Sequence, residues 1–140
     1  MINRKVLIVT HSDLAEGFKA SIEFFVGTQY EITTICAFTK VNNVTEVLEQ
    51  YFASLSPEDE VIAFSDVLFG SVNQWLGIYK NRPHYHLITG TNLPVILSVL
   101  LKPNDEFLTA EDLEAAAAEC ANSVIYVNTY HPDNAMEDDE

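Results

Sequence analysis

Along this chain the spacing of apolar residues keeps changing, from short β-branched runs to i, i+3, i+4 spacing and back again. That alternation predicts βαβ units wrapped around a parallel sheet. The first strand is expected over 5–10 and the first helix over 13–26, with Leu14, Phe18, Ile22 and Phe25 on one face, Gly27 as its stop, and Asp13 with Glu16 as a capping box. A second strand over 30–37 leads to a helix opened by Asn43 and Glu46, striped by Val44, Val47, Leu48, Tyr51 and Leu55 and closed at Ser56-Pro57. The run 61–64 reads as a fully apolar strand; after the loop 65–70, Ser71 with Gln74 opens a helix that turns Val72, Trp75, Leu76 and Tyr79 inward. A fourth strand over 85–89, a short helix from Pro94 to Lys102-Pro103, a helix over 109–121 and a last strand over 124–129 complete the pattern. Periodicity leaves open whether that last strand runs parallel or antiparallel. The expected fold is therefore α/β: a three-layer open sheet, mostly parallel, in flavodoxin-like order 2-1-3-4, with a C-terminal edge strand.

Length and charge narrow the possible roles. A chain of 140 residues fits one domain with a real core, expected over 1–130. No apolar run approaches the ~18 residues that span a bilayer, so a soluble cytoplasmic protein is expected. The net charge of −14 argues against nucleic acid and anionic lipid as partners. Five acids after Pro132 (Asp133, Glu137, Asp138, Asp139 and Glu140) mark 131–140 as an acidic tail expected to be disordered and solvated. The two cysteines, Cys36 and Cys120, provide neither a disulfide framework nor a metal cluster.

In an open parallel sheet, ligands bind beyond the carboxyl ends of the strands, where the strand order reverses. The polar residues found there are Thr10-His11-Ser12-Asp13 after strand one, Ser65-Asp66 after strand three and Thr89-Gly90-Thr91-Asn92 after strand four. In order 2-1-3-4, strands one and three are neighbours about 4.8 Å apart, which would set His11 beside Asp66. A carboxylate holding one imidazole N–H fixes the tautomer and frees the other nitrogen as a nucleophile. Phosphoryl transfer then needs mainly donors for the equatorial oxygens, and the helix starts near Ser12 and at Gly70-Ser71 offer them. Each residue alone has a plainer explanation: His11 as a surface or capping residue, Asp66 as an N-cap, Ser71 as the cap of its own helix. Their joint placement favours chemistry. His84 and His86 lie at the entry end of strand four with no further ligand to complete a metal site, and His131 begins the tail.

Three stretches carry a family resemblance. VLIVTHSDLAEGFKASIEFFVG resembles the opening of mannose-class enzyme IIA domains of the bacterial sugar phosphotransferase system, in which a His at the end of strand one is phosphorylated; this implies His11 as the acceptor. VIAFSDVLFGSVNQW is similar to the second motif, implying Asp66 as the His-pairing carboxylate and Ser71 as a phosphate-binding serine. LITGTNLPVILSVLL resembles the strand-turn-helix after strand four through Gly90, Asn92 and Pro94. Ser12 and Phe69 stand where the family usually has glycine, so the backbone is expected to approach a phosphate less freely. Phe69 either closes the site or contacts a partner. The resemblance implies a relay in which the histidine phosphocarrier protein HPr donates to His11 and His11 passes the group to an enzyme IIB. It also implies a homodimer formed through the C-terminal strand, with no metal and no organic cofactor.

Three other readings compete with this one. A regulatory or interaction paralogue would keep the fold without turning over phosphate, and Ser12 and Phe69 favour it. The phosphocarrier subunit of a dihydroxyacetone kinase would use the same site chemistry. A nucleotide- or flavin-binding domain would share the sheet order, but the chain has no GxGxxG and no P-loop.

Overall fold

The computed structural model describes residues 1–132. Most of the expected acidic tail, from Asp133 onward, lies outside the described residues. The chain alternates β1 (Arg4–His11), α1 (Leu14–Val26), β2 (Glu31–Ala37), α2 (Val44–Ala53), β3 (Glu60–Ser65), α3 (Ser71–Gly77), β4 (Tyr85–Ile88), α4 (Leu93–Leu100) and α5 (Ala110–Cys120). The four strands form one sheet in the order β2-β1-β3-β4, every pair parallel.

Alternation along the central strands divides the core into two layers. Val6 and Ile8 of β1 join Ile22, Ile96 and Val99 on one face, while Leu7 and Val9 join Leu48, Val72 and Leu76 on the other. β3 is buried over its whole length, as a strand covered on both faces must be. No helix among the described residues is long and apolar enough to cross a membrane.

Four expectations need correction. The buried stripe of α1 runs through Ala15, Phe18, Ile22 and Val26, while Leu14 and Phe25 face out. Both sets have helical spacing and share Phe18 and Ile22, so periodicity does not separate them; the helix is turned so that Ala15 and Val26 rather than Leu14 and Phe25 face the sheet. Asp13 makes no capping bond: its carboxylate accepts the Thr39 hydroxyl, Glu16 takes the Lys40 ammonium, and the Ala15 N–H is received by the buried Thr10 hydroxyl. At α3, Gly70 holds the cap position and Ser71 is the first helical residue, with no side-chain cap bond.

The fourth correction concerns the end of the chain. The expected edge strand over 124–129 is absent; Ala121–Ser123 and Val127–Thr129 form 3-10 turns, and Val124, Tyr126 and Val127 are exposed. A strand exists only where a neighbour completes its hydrogen-bond ladder, and among the described residues no sheet edge pairs with this segment. The sheet is thus four-stranded and all parallel.

Candidate functional site

Strand register builds the site. β1 runs two residues past the end of its pairing with β3, since Val9 lies opposite Ser65 while His11 lies opposite Ala37 of β2. Asp66, the first residue beyond β3, is thereby carried up beside His11. Its carboxylate takes the His11 backbone N–H at 2.8 Å and faces ring Nδ1 at 3.0 and 3.2 Å, and its Oδ1 also accepts the Val67 N–H at 3.0 Å. An ionised carboxylate only accepts, so in the neutral ring this contact favours the proton on Nδ1 and leaves the lone pair on Nε2.

The Nε2 side of the ring is kept open by glycine. A Cβ built on Gly70 would lie 3.6 Å from His11 Nε2 and 3.7 Å from Cε1, filling the space beside the free nitrogen. Gly70 has φ 109 and ψ 179, a region that is essentially restricted to glycine. Ser71 follows it at the start of α3, half-buried. Ser12, on the other side, sits in the left-handed region at φ 56, with its N–H donated to the Ala37 carbonyl at 2.9 Å. The structure therefore gathers His11, Asp66 and Gly70 into direct proximity and brings Ser12 and Ser71 in as chain neighbours. The N-terminus of the 13-residue α1 begins three residues after His11 and contributes a partial positive charge of about +0.5.

One residue of the site escapes sequence reasoning. Phe38 stacks on the His11 ring with centroids 5.5 Å apart and an interplanar angle of 25°, and it leans on Trp75 at 6.0 Å. It does so from φ 73, unusual for a bulky residue, while remaining exposed. The available signal is positional: an aromatic directly after β2, the neighbour of β1, at the carboxyl end of the sheet. Phe69 is 82% exposed, with Val67 and Leu68 also exposed beside it.

The Gly90, Asn92 and Pro94 turn supports the site from behind. Asn92 caps α4 by accepting the Val95 N–H at 2.9 Å and donates to the Cys120 carbonyl, and the Thr91 N–H reaches the Ser65 carbonyl at 3.2 Å, steadying the end of β3 beneath Asp66. His84 and His86 lie at the amino end of β4, where His84 stacks on Phe107 and His86 faces the Leu108 carbonyl. Cys36 and Cys120 are free and buried. Lys40 is held by Glu16, and that hydrogen bond raises its pKa. No group of three or more His, Cys, Asp or Glu side chains among the described residues is placed to hold a metal.

Comparison with known proteins gives a consistent result. Residues 5–118 match the EIIA-man family model, described as PTS system fructose IIA component. The mannose-specific EIIAB component of the phosphotransferase system from Escherichia coli K12 is 29% identical over 118 residues, which cover 81% of this chain and 36% of that protein. The chain thus spans about a third of the length of the curated relatives it matches. A crystal structure from Klebsiella pneumoniae, described as a phosphoenolpyruvate-dependent sugar phosphotransferase system permease, superposes with a TM-score of 0.81 at 32% identity, covering 91% of this chain and 93% of that one. A Streptococcus pneumoniae PTS IIA protein associated with the fucose utilization operon shares the fold, with a TM-score of 0.75 at 24% identity, covering 91% and 95%.

Proposed function

This chain belongs to the EIIA-man family of sugar phosphotransferase system IIA components, and from that premise we propose that it is a histidine phosphocarrier with His11 as the acceptor. The observation that carries the proposal is the Asp66 clasp on Nδ1, which leaves Nε2 unprotonated beside the space that Gly70 keeps clear. In the forward step the Nε2 lone pair attacks the phosphorus of a phosphohistidine on HPr. The new N–P bond forms as the donor's N–P bond breaks, and that electron pair returns to the donor imidazole. Positive charge appears on the His11 ring, and the Asp66 carboxylate stabilises it while keeping the Nδ1 proton. Gly70, Ser71 and Ser12 surround the phosphoryl oxygens, and the amino end of α1 adds its dipole. His11 then gives up the group in the same way to an enzyme IIB, its N–P bond breaking as the acceptor's forms, and the sugar never touches this domain.

Phosphoenolpyruvate, enzyme I and HPr should together place an acid-labile phosphoryl group on the purified protein, absent in His11→Ala and formed at least about ten-fold more slowly in Asp66→Asn. A wild-type protein that stays unmodified would overturn the carrier assignment. It would favour the interaction paralogue, for which the exposed Val67, Leu68 and Phe69 are the supporting observation. The exposed apolar segment 124–130 supports a homodimer in which each copy gives that segment to its partner. The protein would work in the cytoplasm, where its donor and acceptor are.

A further inference from the structure

We propose that Thr10 is a positioning residue for His11, acting through the turn that follows β1. Its side chain is fully buried, beneath a site otherwise open to solvent. The hydroxyl bonds in two directions: it accepts the Ala15 N–H at 2.8 Å and donates to the Ser12 carbonyl at 3.3 Å. It therefore performs the capping that Asp13 does not, and it does so from inside the sheet rather than from the loop.

The second bond explains an oddity of the turn. Ser12 occupies φ 56, where an L-residue is disfavoured, and residues held there persist only when their surroundings over-determine them. Three groups fix this turn from outside: Asp66 on the His11 N–H, the Ala37 carbonyl on the Ser12 N–H, and the Thr10 hydroxyl on the Ser12 carbonyl. Of these, Thr10 alone grips the carbonyl side and ties it to the start of α1. Without it, the peptide after Ser12 is free to rotate toward an ordinary φ. The His11 backbone, which is anchored to Asp66 only through its N–H, would then turn the ring off the carboxylate. A buried threonine is thus linked to the proton on Nδ1 and the lone pair on Nε2.

The geometric half of this inference stands alone; its kinetic half rests on the carrier reading above. The test compares full-length Thr10→Val, which keeps the shape and removes both bonds, with Thr10→Ser, Ser12→Gly and the Thr10→Val/Ser12→Gly double variant. Two quantities are read in each: the 15N shifts of the His11 ring nitrogens, which report the tautomer, and the rate of phosphorylation from HPr. Thr10→Val is expected to move the ring nitrogens toward a mixed tautomer and to slow phosphorylation on the order of ten-fold or more. Thr10→Ser should restore both. In the Ser12→Gly background the Thr10→Val change should have little effect, because glycine takes a positive φ without being held.

Wild-type ring shifts in Thr10→Val would overturn the proposal. So would a rate loss that is the same size with glycine or serine at position 12, which would mark Thr10 as a general stabiliser. If the wild type accepts no phosphate, the carrier reading fails while the ring spectra still decide the role of Thr10. If Thr10→Val does not fold, the wild-type Ala15 amide decides: slow hydrogen exchange is expected, and exchange at the rate of an uncovered loop amide would refute the bond on which the inference depends.

Discussion

The two ends of the sheet solve opposite problems. At the amino end, buried charges answer one another: Arg4 and Glu60 pair below the surface, Glu60 also receives the Leu108 N–H at 2.6 Å, and Arg4 donates to the carbonyls of Lys102, Pro103 and Glu106. Beside them Asp59 accepts from Asn3 and from the Ser56 N–H, and Arg82 reaches the Ser56 and Asp59 carbonyls. Tyr51 is an exception, with a buried hydroxyl that has no partner among the described residues and a pKa pushed up by that burial. At the carboxyl end the chain turns back after each strand through a residue at positive φ, namely Ser12, Phe38, Gly70 and Gly90. There the His11 Nε2 has no answering group among the described residues. Dense polar pairing closes one end, with the Tyr51 hydroxyl and the positive φ of His84 (φ 62) as its exceptions, while an unmet lone pair leaves the other end open.

The sharpest way to break this comparison is to unlock the amino end. Glu60→Ala leaves Arg4 buried without its carboxylate and the Leu108 N–H without its acceptor, and such a loss costs about 3–5 kcal/mol. Urea unfolding should show a drop of that size, with the His11 ring spectrum of the remaining folded protein unchanged. A loss below about 1 kcal/mol, the range of an exposed pair, would mean that the ion pair is not what closes this end.

How much of this was legible in the sequence depends on whether a residue's role is local. The strands and helices were readable because their apolar periods are long and unambiguous, and His11 and Asp66 stood out because polar residues directly after buried strands are few. Phe38 was not readable: in the run Ile35-Cys36-Ala37-Phe38 it passes for one more core side chain, and only the left-handed turn at φ 73 swings it over the imidazole. Thr10 likewise looks like an ordinary strand residue, since its two bonds depend on where the next five residues go. The cap at Asp13 misled for the same reason, because the buried Thr10 hydroxyl takes the Ala15 N–H instead, and Ser71 stands one residue inside its helix behind Gly70, whereas Asn43 caps α2 as expected. The segment 124–129 has a genuine strand pattern; what it lacks is a partner within the described chain.

A middle-sized effect is expected at the open end. Gly70→Ala places a methyl 3.6 Å from His11 Nε2 and forces alanine into φ 109 with ψ 179. The backbone strain should cost about 1–3 kcal/mol in stability. The larger consequence is functional, because a methyl in that space competes with the incoming phosphoryl group. Phosphorylation of the folded variant should therefore fall by more than its loss of stability explains, on the order of ten-fold or beyond. Equal rates for Gly70→Ala and wild type would show that the group approaches Nε2 from another side.

The smallest expected effect returns to the amino end and uses acid as the probe. Thr109 and Asp112 form a reciprocal capping box at the start of α5, directly after the Leu108 that Glu60 holds. The Thr109 backbone N–H, aided by its side chain, lowers the Asp112 pKa below its ordinary 3.8. For Asp59, burial pushes upward, but the Ser56 N–H, Asn3 and the charges of Lys5 and Arg82 outweigh it and hold that carboxyl below 3.8 as well. A carboxylate with a folded-state pKa below its unfolded value stabilises fully above the unfolded value and loses that contribution as pH falls through the folded one. Stability should therefore decline with acid below about pH 4, and urea midpoints measured between pH 6 and pH 2.5 should fall less steeply in Asp112→Asn than in wild type. Because Asp112 is partly exposed, its share should be slight, with a larger flattening for Asp59→Asn, a buried carboxylate held by Asn3 and Lys5 from the start of the chain and by the Ser56 N–H. If the two variants kept the full wild-type slope, the acid sensitivity of the fold would have to arise from carboxylates outside the amino-end network, and the division of labour between the two ends would lose its electrostatic basis.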